Sequence, residues 1–128
     1  MRPRTHLQID KDLNGKILEL REGYAKVELA TTKQMIVDKH NLIHGGFTFC
    51  LGDYTAMLTV NDPHVLLTAA QVKFLKPVVL GDLLISEGEI ENSIATKPQV
   101  KVGIHNDQYK VFSGKFNCYI PDKHILEG

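Results

Sequence analysis

The sequence predicts an α+β chain in which one long central helix is wrapped by a curved antiparallel β-sheet of five to six strands. Three observations carry that expectation. Residues 44–60 open on a Gly-Gly pair, place apolar side chains on nearly every face and stop at the turn formers Asn61-Asp62-Pro63. A helix with no polar face has to be surrounded rather than laid on a surface. The flanking residues alternate apolar and polar with the period of strands, and no repeat, low-complexity run or linker divides them, so a single domain over residues 1–128 is expected.

In chain order, the first dozen residues are polar and weakly patterned, an arm or a short helix ending near Asn14-Gly15. Residues 16–21 and 24–29 alternate on either side of Glu22-Gly23, which reads as a hairpin. Residues 31–42 connect to the helix, with a short strand at Met35-Ile36-Val37. Beyond Pro63, residues 65–76 form a long strand, 83–91 follow the Gly81-Asp82 turn, 100–105 follow Lys97-Pro98, and 109–120 follow a tight turn at Asn106-Asp107. The order is therefore two strands, a helix and four strands, which an antiparallel sheet curled around the helix satisfies. The tail from Pro121 to Gly128 is expected at the surface.

A chain of 128 residues can bury about two-thirds of the surface it exposes when unfolded. Its 15 basic and 15 acidic residues cancel, which excludes a whole-surface attraction for nucleic acid or membranes. Cys50 and Cys118 are too few for a disulfide framework, and no apolar run follows the basic N-terminal residues as in a signal peptide, so a reduced, cytoplasmic setting is expected. No stretch approaches the ~20 apolar residues of a membrane span.

Two features of the helix are chemical. The Gly45-Gly46 start leaves bare backbone N–H groups at the positive end of the helix dipole, suited to holding a developing oxyanion. Asp53 is a carboxylate among apolar neighbours, where an idle charge is costly. Eight residues separate Gly45 from Asp53, roughly 12 Å along the axis, too far for both to touch one carbonyl. If they act together, the helix N-terminus of one protomer meets Asp53 of another, which a two-fold homodimer arranges twice over.

His44-Gly45-Gly46 followed by Leu51-x-Asp53, with the acid nine residues after the histidine, looks like the active-site helix of hotdog-fold thioesterases of the phenylacetate-pathway (PaaI-like) and 4-hydroxybenzoyl-CoA type. A second block, Phe74-Leu75-Lys76-Pro77 running to Gly81-Asp82, is similar to that family's F-L-[RK]-P-x-x-x-G-D strand and turn. The resemblance spans roughly residues 13 to 120 and implies a hotdog architecture and an acyl-CoA thioesterase with no metal and no separate cofactor, coenzyme A being part of the substrate. It implies a homodimer, with a dimer of dimers as the next assembly.

Carried over residue by residue, the resemblance makes Asp53 the carboxylate that attacks the thioester or activates water, and the Gly45 N–H the group that polarises its oxygen. His44 either lines the pocket or is a helix-start residue bonded to backbone. Gly46 allows close approach, Phe47 with Phe49 and Leu51 lines an acyl pocket, and Thr68 positions the water or carboxylate. Lys76, Lys73 and Lys97 are candidates for the phosphates of coenzyme A, against the plain reading of solvated lysines. The resemblance breaks at one place: Asp38 stands where many of these enzymes have Asn, and Asn41 where Gly is frequent. Either the loop shifts and Asn41 takes over substrate contact, or Asp38 weakens the site.

Two other readings compete with catalysis through Asp53. His40 and His44 are four apart but lack an acidic third ligand, so no metal is expected, and Cys50 on an apolar helix reads as core. The alternative function is a non-catalytic acyl-CoA sensor, like the regulators of fatty-acid synthesis that use this fold; the presence of Asp53 argues against it, and Asp38 argues slightly for it.

Overall fold

The computed structural model describes residues 1–127. After the short helix α1 (Lys11–Asn14) come β1 (Lys16–Arg21), β2 (Tyr24–Ala30), the long helix α2 (Gly45–Val60), β3 (Leu66–Phe74), β4 (Leu83–Asn92), β5 (Gln99–His105) and β6 (Lys110–Tyr119). The strands form one sheet in the order β1-β2-β4-β5-β6-β3, antiparallel throughout. Six strands around one helix is the expected α+β hotdog arrangement. Residue 128 of the tail lies outside the described residues; residues 122–127 are exposed.

Register gives the sheet two chemically distinct faces. Ala25, Val27 and Leu29 pair with Gly88, Ser86 and Leu84, which pair in turn with Val102 and Ile104, and these with Gly114 and Phe112. All of these are buried against α2. The intervening residues, among them Lys26, Glu87, Lys101 and Lys115, form the outer face.

Helix and sheet meet where side chains are missing. A Cβ on Gly52 would lie 3.1 Å from Phe112 and 3.2 Å from Phe116, and one on Gly88 would collide with Thr59 and stand 3.1 Å from Thr55. Both threonine hydroxyls donate one turn back, to Leu51 and Thr55 carbonyls at 2.7 Å, so the helix buries them at little cost. The helix ends at Asn61, in the left-handed region (φ 53°), whose side chain also ties down the N-terminal arm: its Oδ1 accepts from Arg4 N–H at 2.7 Å and its Nδ2 donates to the Arg2 carbonyl.

The strand expected at Met35-Ile36-Val37 is absent. Lys33–Met35 is a 3-10 turn, and Ile36 makes a single bridge to Ile43. Met35 is fully buried, and its carbonyl accepts from His44 N–H at 2.9 Å, so tertiary contact at the helix start overrides the local β preference.

β3 is an edge strand, paired with β6 on one side and with nothing on the other among the described residues. Its end is apolar and open, with Phe74 55% exposed. A long edge of this kind is a template for another strand. For the core, Gly88→Ala is expected to destabilise the protein by about 1–3 kcal/mol through overpacking against α2; a denaturant midpoint equal to that of the parent protein would contradict the close contact.

Candidate functional site

The start of α2 is set by main-chain bonds. Ile43 N–H donates to the Val78 carbonyl at 2.8 Å, Leu80 N–H to Asn41 at 2.9 Å, and Val37 N–H to Leu42 at 2.9 Å. Within this loop the Asp38 carboxylate accepts from the N–H groups of His40 (2.9 Å) and Leu42 (3.3 Å). Asn41 takes the left-handed conformation (φ 64°), which asparagine tolerates better than most residues. Asp38 and Asn41 are thus loop-forming residues, both exposed, and neither lines the groove beside Gly45.

Among the described residues the N–H groups of Gly45 and Gly46 find no backbone acceptor, as expected of a first helical turn. Gly45 opens on a groove of about 280 Å³ whose walls include Leu42, Thr48, Phe74, Lys76 and Val111. Phe74 stacks edge-on against Phe112 (5.3 Å between centroids), and its ring lies 3.3 Å from where a Gly45 Cβ would be. His44 donates its backbone N–H to Met35, and its ring folds over Gly46, 2.9 Å from an ideal Cβ there, and meets Phe47 edge-on.

The groove brings Gly45 and Lys76 together and leaves several expected partners out. Phe47 is half-buried beside His44 rather than in the groove wall. Leu51 is fully buried and belongs to the core, and Phe49 packs on Phe116. Thr68 sits in a β-bulge between Leu67 and Ala69, and its hydroxyl donates to the Asn117 carbonyl at 3.0 Å. It faces an outer hollow shared with Lys97 and Asn92, so it does not position Asp53 within this chain. Thr48, which sequence reasoning passed over, does line the groove; its signal was its place one turn after Gly45, on the same helical face.

Asp53 lies farther along α2. Its Oδ1 is buried without a hydrogen-bond partner, and burial pushes its pKa up to about 6. Cys50, expected in the core, lies on the exposed side of the helix, because the sheet leaves that side open. Desolvation of each sulfur, with the Asp53 charge second, raises the Cys50 and Cys118 thiols, the latter to about 12, which keeps both protonated and poor as nucleophiles. Asp53 is near enough to act on Cys118, which pairs with Leu67, so it lies toward the Leu66 end of β3, the opposite end of that strand from Phe74. Among the described residues no three His, Cys, Asp or Glu side chains are grouped to hold a metal ion, and no helix is long and apolar enough to cross a membrane.

No family-level sequence profile matches the chain. A protein of Aquifex aeolicus named methylthioribose-1-phosphate isomerase is 45% identical over 88% of this chain, an esterase-named protein of Archaeoglobus fulgidus is 35% identical over 62% of it, and the transcription factor FapR of Caldanaerobacter subterraneus is 26% identical over 88%. The chain spans 25%, 53% and 57% of the lengths of these three relatives. Among solved structures, an uncharacterized protein of Pyrococcus horikoshii is 45% identical with a TM-score of 0.97, covering 98% of this chain and 97% of its own. The E. coli PaaI protein of the phenylacetic acid degradation operon is 25% identical with a TM-score of 0.81, over 89% of this chain and 84% of its own. A thioesterase-named protein of Streptococcus pneumoniae, solved with coenzyme A, shares the fold at 23% identity and a TM-score of 0.78, over 87% of this chain and 88% of its own.

The raised pKa of Asp53 has a thermodynamic counterpart. Between the ordinary value of 3.8 and about 6 the folded chain holds a proton that the unfolded chain has released, so stability falls as pH rises through this window. Asp53→Asn is expected to stabilise the protein near pH 7 by about 1–2 kcal/mol, less than the roughly 3 kcal/mol of two pKa units because solvent reaches part of the group. The gain should vanish below pH 4. Thermal melts of both proteins across this range check it; an equal gain at every pH would contradict the assignment.

Proposed function

The chain belongs to the hotdog-fold thioesterase superfamily, and on that premise we propose that it is an acyl-CoA thioesterase whose sites form between two copies. One observation carries the reading: the chain holds two unsatisfied halves of a hydrolytic site, about 12 Å apart along one helix. One half is the free Gly45 N–H at the groove, and the other is the half-buried Asp53 carboxylate, whose Oδ1 is buried without a partner. Antiparallel pairing of β3 with its copy about the strand midpoint, Ala70, would set Phe74 of one protomer opposite Leu66 of the partner subunit. Gly45 would then approach Asp53 of the partner subunit, and the open edge would be covered.

In such a site the thioester carbonyl points its oxygen at the Gly45 N–H, which stabilises the charge that develops as the carbon is attacked. Asp53 either attacks that carbon or takes a proton from the attacking water. A pKa near 6 leaves it ionised at neutral pH yet more basic than an exposed carboxylate. The thiol of coenzyme A leaves.

A sensor that binds acyl-CoA without hydrolysis is the second reading, favoured by the similarity to FapR. Asp38 gives it little support, because its carboxylate is engaged by the N–H groups of its own loop.

Gly45→Pro removes the N–H at the first helical position, where proline fits, and the residue before it already has the extended backbone proline requires. Turnover of acyl-CoA esters should fall about 10²–10³-fold. Asp53→Asn should abolish turnover while ester binding persists. Mixing the two inactive variants and allowing subunit exchange should restore about a quarter of wild-type activity, since half the dimers are mixed and each holds one intact site. Failure of the mixture to recover, with subunit exchange verified, would overturn a site shared between Gly45 and the partner subunit's Asp53. For the wild type, kcat/KM should rise with pH through about 6 and then level as Asp53 ionises; a flat profile would argue against it.

A further inference from the structure

Thr48, Thr55 and Thr59 stand in one line along α2 on the side that faces the sheet, and all three are buried, at 2%, 0% and 1% exposure. Thr55 and Thr59 satisfy their hydroxyls by donating to the carbonyls four residues back. Thr48 departs from this pattern. The carbonyl four residues before it belongs to His44 and accepts the Phe47 N–H at 3.1 Å, and among the described residues the Thr48 hydroxyl has no hydrogen-bond partner. Unlike the buried orphans Asp53 Oδ1 and Ser86 Oγ it is not sealed off, because Thr48 forms part of the groove wall beside Gly45.

Around that hydroxyl the groove is apolar. Ile43, Phe74, Val78 and Val111 supply wall, and Lys76 is the one other polar side chain in the lining, its ammonium 5.6 Å from the Tyr109 ring centroid. A water held by Thr48 therefore lacks the side-chain partners that buried waters use to make about three hydrogen bonds. A buried hydroxyl facing hydrocarbon costs free energy until something pairs with it. The Gly45 N–H lies three residues earlier, roughly 4.5 Å along the helix axis, a distance that about three carbon–carbon bonds span. At about 280 Å³ the groove falls below the range of about 300–1,000 Å³ that holds drug-sized ligands, so what enters it is small.

We propose that Thr48 is a specificity-determining residue whose hydroxyl selects short acyl groups carrying a hydroxyl or carbonyl oxygen on the third or fourth carbon. The inference rests on the thioesterase reading. With the thioester oxygen at the Gly45 N–H, the acyl group extends along the groove toward Thr48, and its own oxygen meets the Thr48 Oγ. A threonine hydroxyl both donates and accepts, so it pairs with a substrate hydroxyl or carbonyl alike. A plain acyl group leaves it unpaired. A site built to pair a substrate oxygen rejects the analogue lacking that oxygen far more strongly than an apolar pocket discriminates by size.

Hydrolysis of butyryl-CoA is compared with that of 3-hydroxybutyryl-, 3-oxobutyryl- and 4-hydroxybutyryl-CoA in the wild type, in Thr48→Val, which puts a methyl group in place of the hydroxyl, and in Thr48→Ser, which keeps the hydroxyl. In the wild type at least one oxygenated ester should show a kcat/KM about ten- to a hundredfold above that of butyryl-CoA. Thr48→Val should erase this preference, chiefly through KM, by losing the oxygenated ester and gaining the plain one, while Thr48→Ser should retain it. The denaturant midpoint of Thr48→Val should be no lower than that of the wild type, since the variant gives up an unpaired hydroxyl and no hydrogen bond; a lowered midpoint would mean that the hydroxyl is already paired and overturns the proposal. Equal kcat/KM for all four esters, a preference unchanged in Thr48→Val, or turnover of other thioesters but none of these four also overturns it and leaves the thioesterase reading standing. If no thioester at all is turned over, the thioesterase reading falls, and calorimetric binding of the same intact esters decides: a preference that Thr48→Val removes upholds the role of Thr48, and equal binding overturns it.

Discussion

The helix Gly45–Val60 has no polar face, and the rest of the molecule follows from covering it; the sheet buries most of it and leaves a stripe through Phe47, Cys50 and Asp53 partly open. A flat sheet would cover one face only, so the strands have to curl. The curl is tight because Gly88 and Gly52 let the helix and sheet backbones approach more closely than any side chain would permit. Phe112 and Phe116 then fill the space over Gly52, and Thr55 and Thr59 turn their hydroxyls back into the helix. Polar groups that cannot do this stand out: Asp53 Oδ1 and Ser86 Oγ are buried without partners. In a core organised so closely, an unpaired carboxylate is a standing cost that a structural role alone does not explain.

The wrapping is incomplete on one side. β3 returns to the far edge of the sheet, next to β6 and not next to β4, and among the described residues its outer edge is unpaired; its Phe74 end borders the helix start and its Leu67 end pairs with Cys118, near Asp53. The open edge and the two unsatisfied groups are therefore one problem with one solution. In the proposed dimer, a second copy related by a two-fold axis would supply a strand to the edge, a carboxylate to the groove, and a lid over apolar residues such as Phe74.

Much of this was legible in the sequence, and the gaps have physical causes. Alternation marked the first hairpin and parts of the third and fourth strands, turn formers marked the last two, and Asn61-Asp62-Pro63 marked the helix end, where Asn61 takes the left-handed conformation. Alternation assigns residues to faces but says nothing about which strands are neighbours, so the edge position of β3 was out of reach. The bulge at Thr68 turns that residue to the outer face, and one extra residue in a strand cannot be counted before its partner is known. A helix apolar all round also gives no direction, which is why Leu51 read as pocket wall while it is core, and why Thr48 escaped notice. The run Met35-Ile36-Val37 has strand-forming side chains, but a single bridge is all that its neighbour Ile43 offers it.

The two departures from the family pattern, Asp38 and Asn41, compensate each other. A loop that enters a helix through a left-handed residue usually needs glycine there, and asparagine is the side chain that adopts this conformation most readily after glycine. The carboxylate of Asp38 then holds the loop by bonding His40 and Leu42 N–H groups, a task for which an acceptor-only side chain is as suitable as an amide. What fixes the orientation of the Gly45 N–H is neither of these side chains but the main-chain bonds from Ile43 to Val78, His44 to Met35 and Leu80 to Asn41. Because those bonds are independent of side-chain identity, the loop keeps its course with a carboxylate at position 38. The same logic explains why a group that must aim at a developing oxyanion belongs to the backbone: its direction is set by the fold, and exchange of a neighbouring side chain leaves it in place.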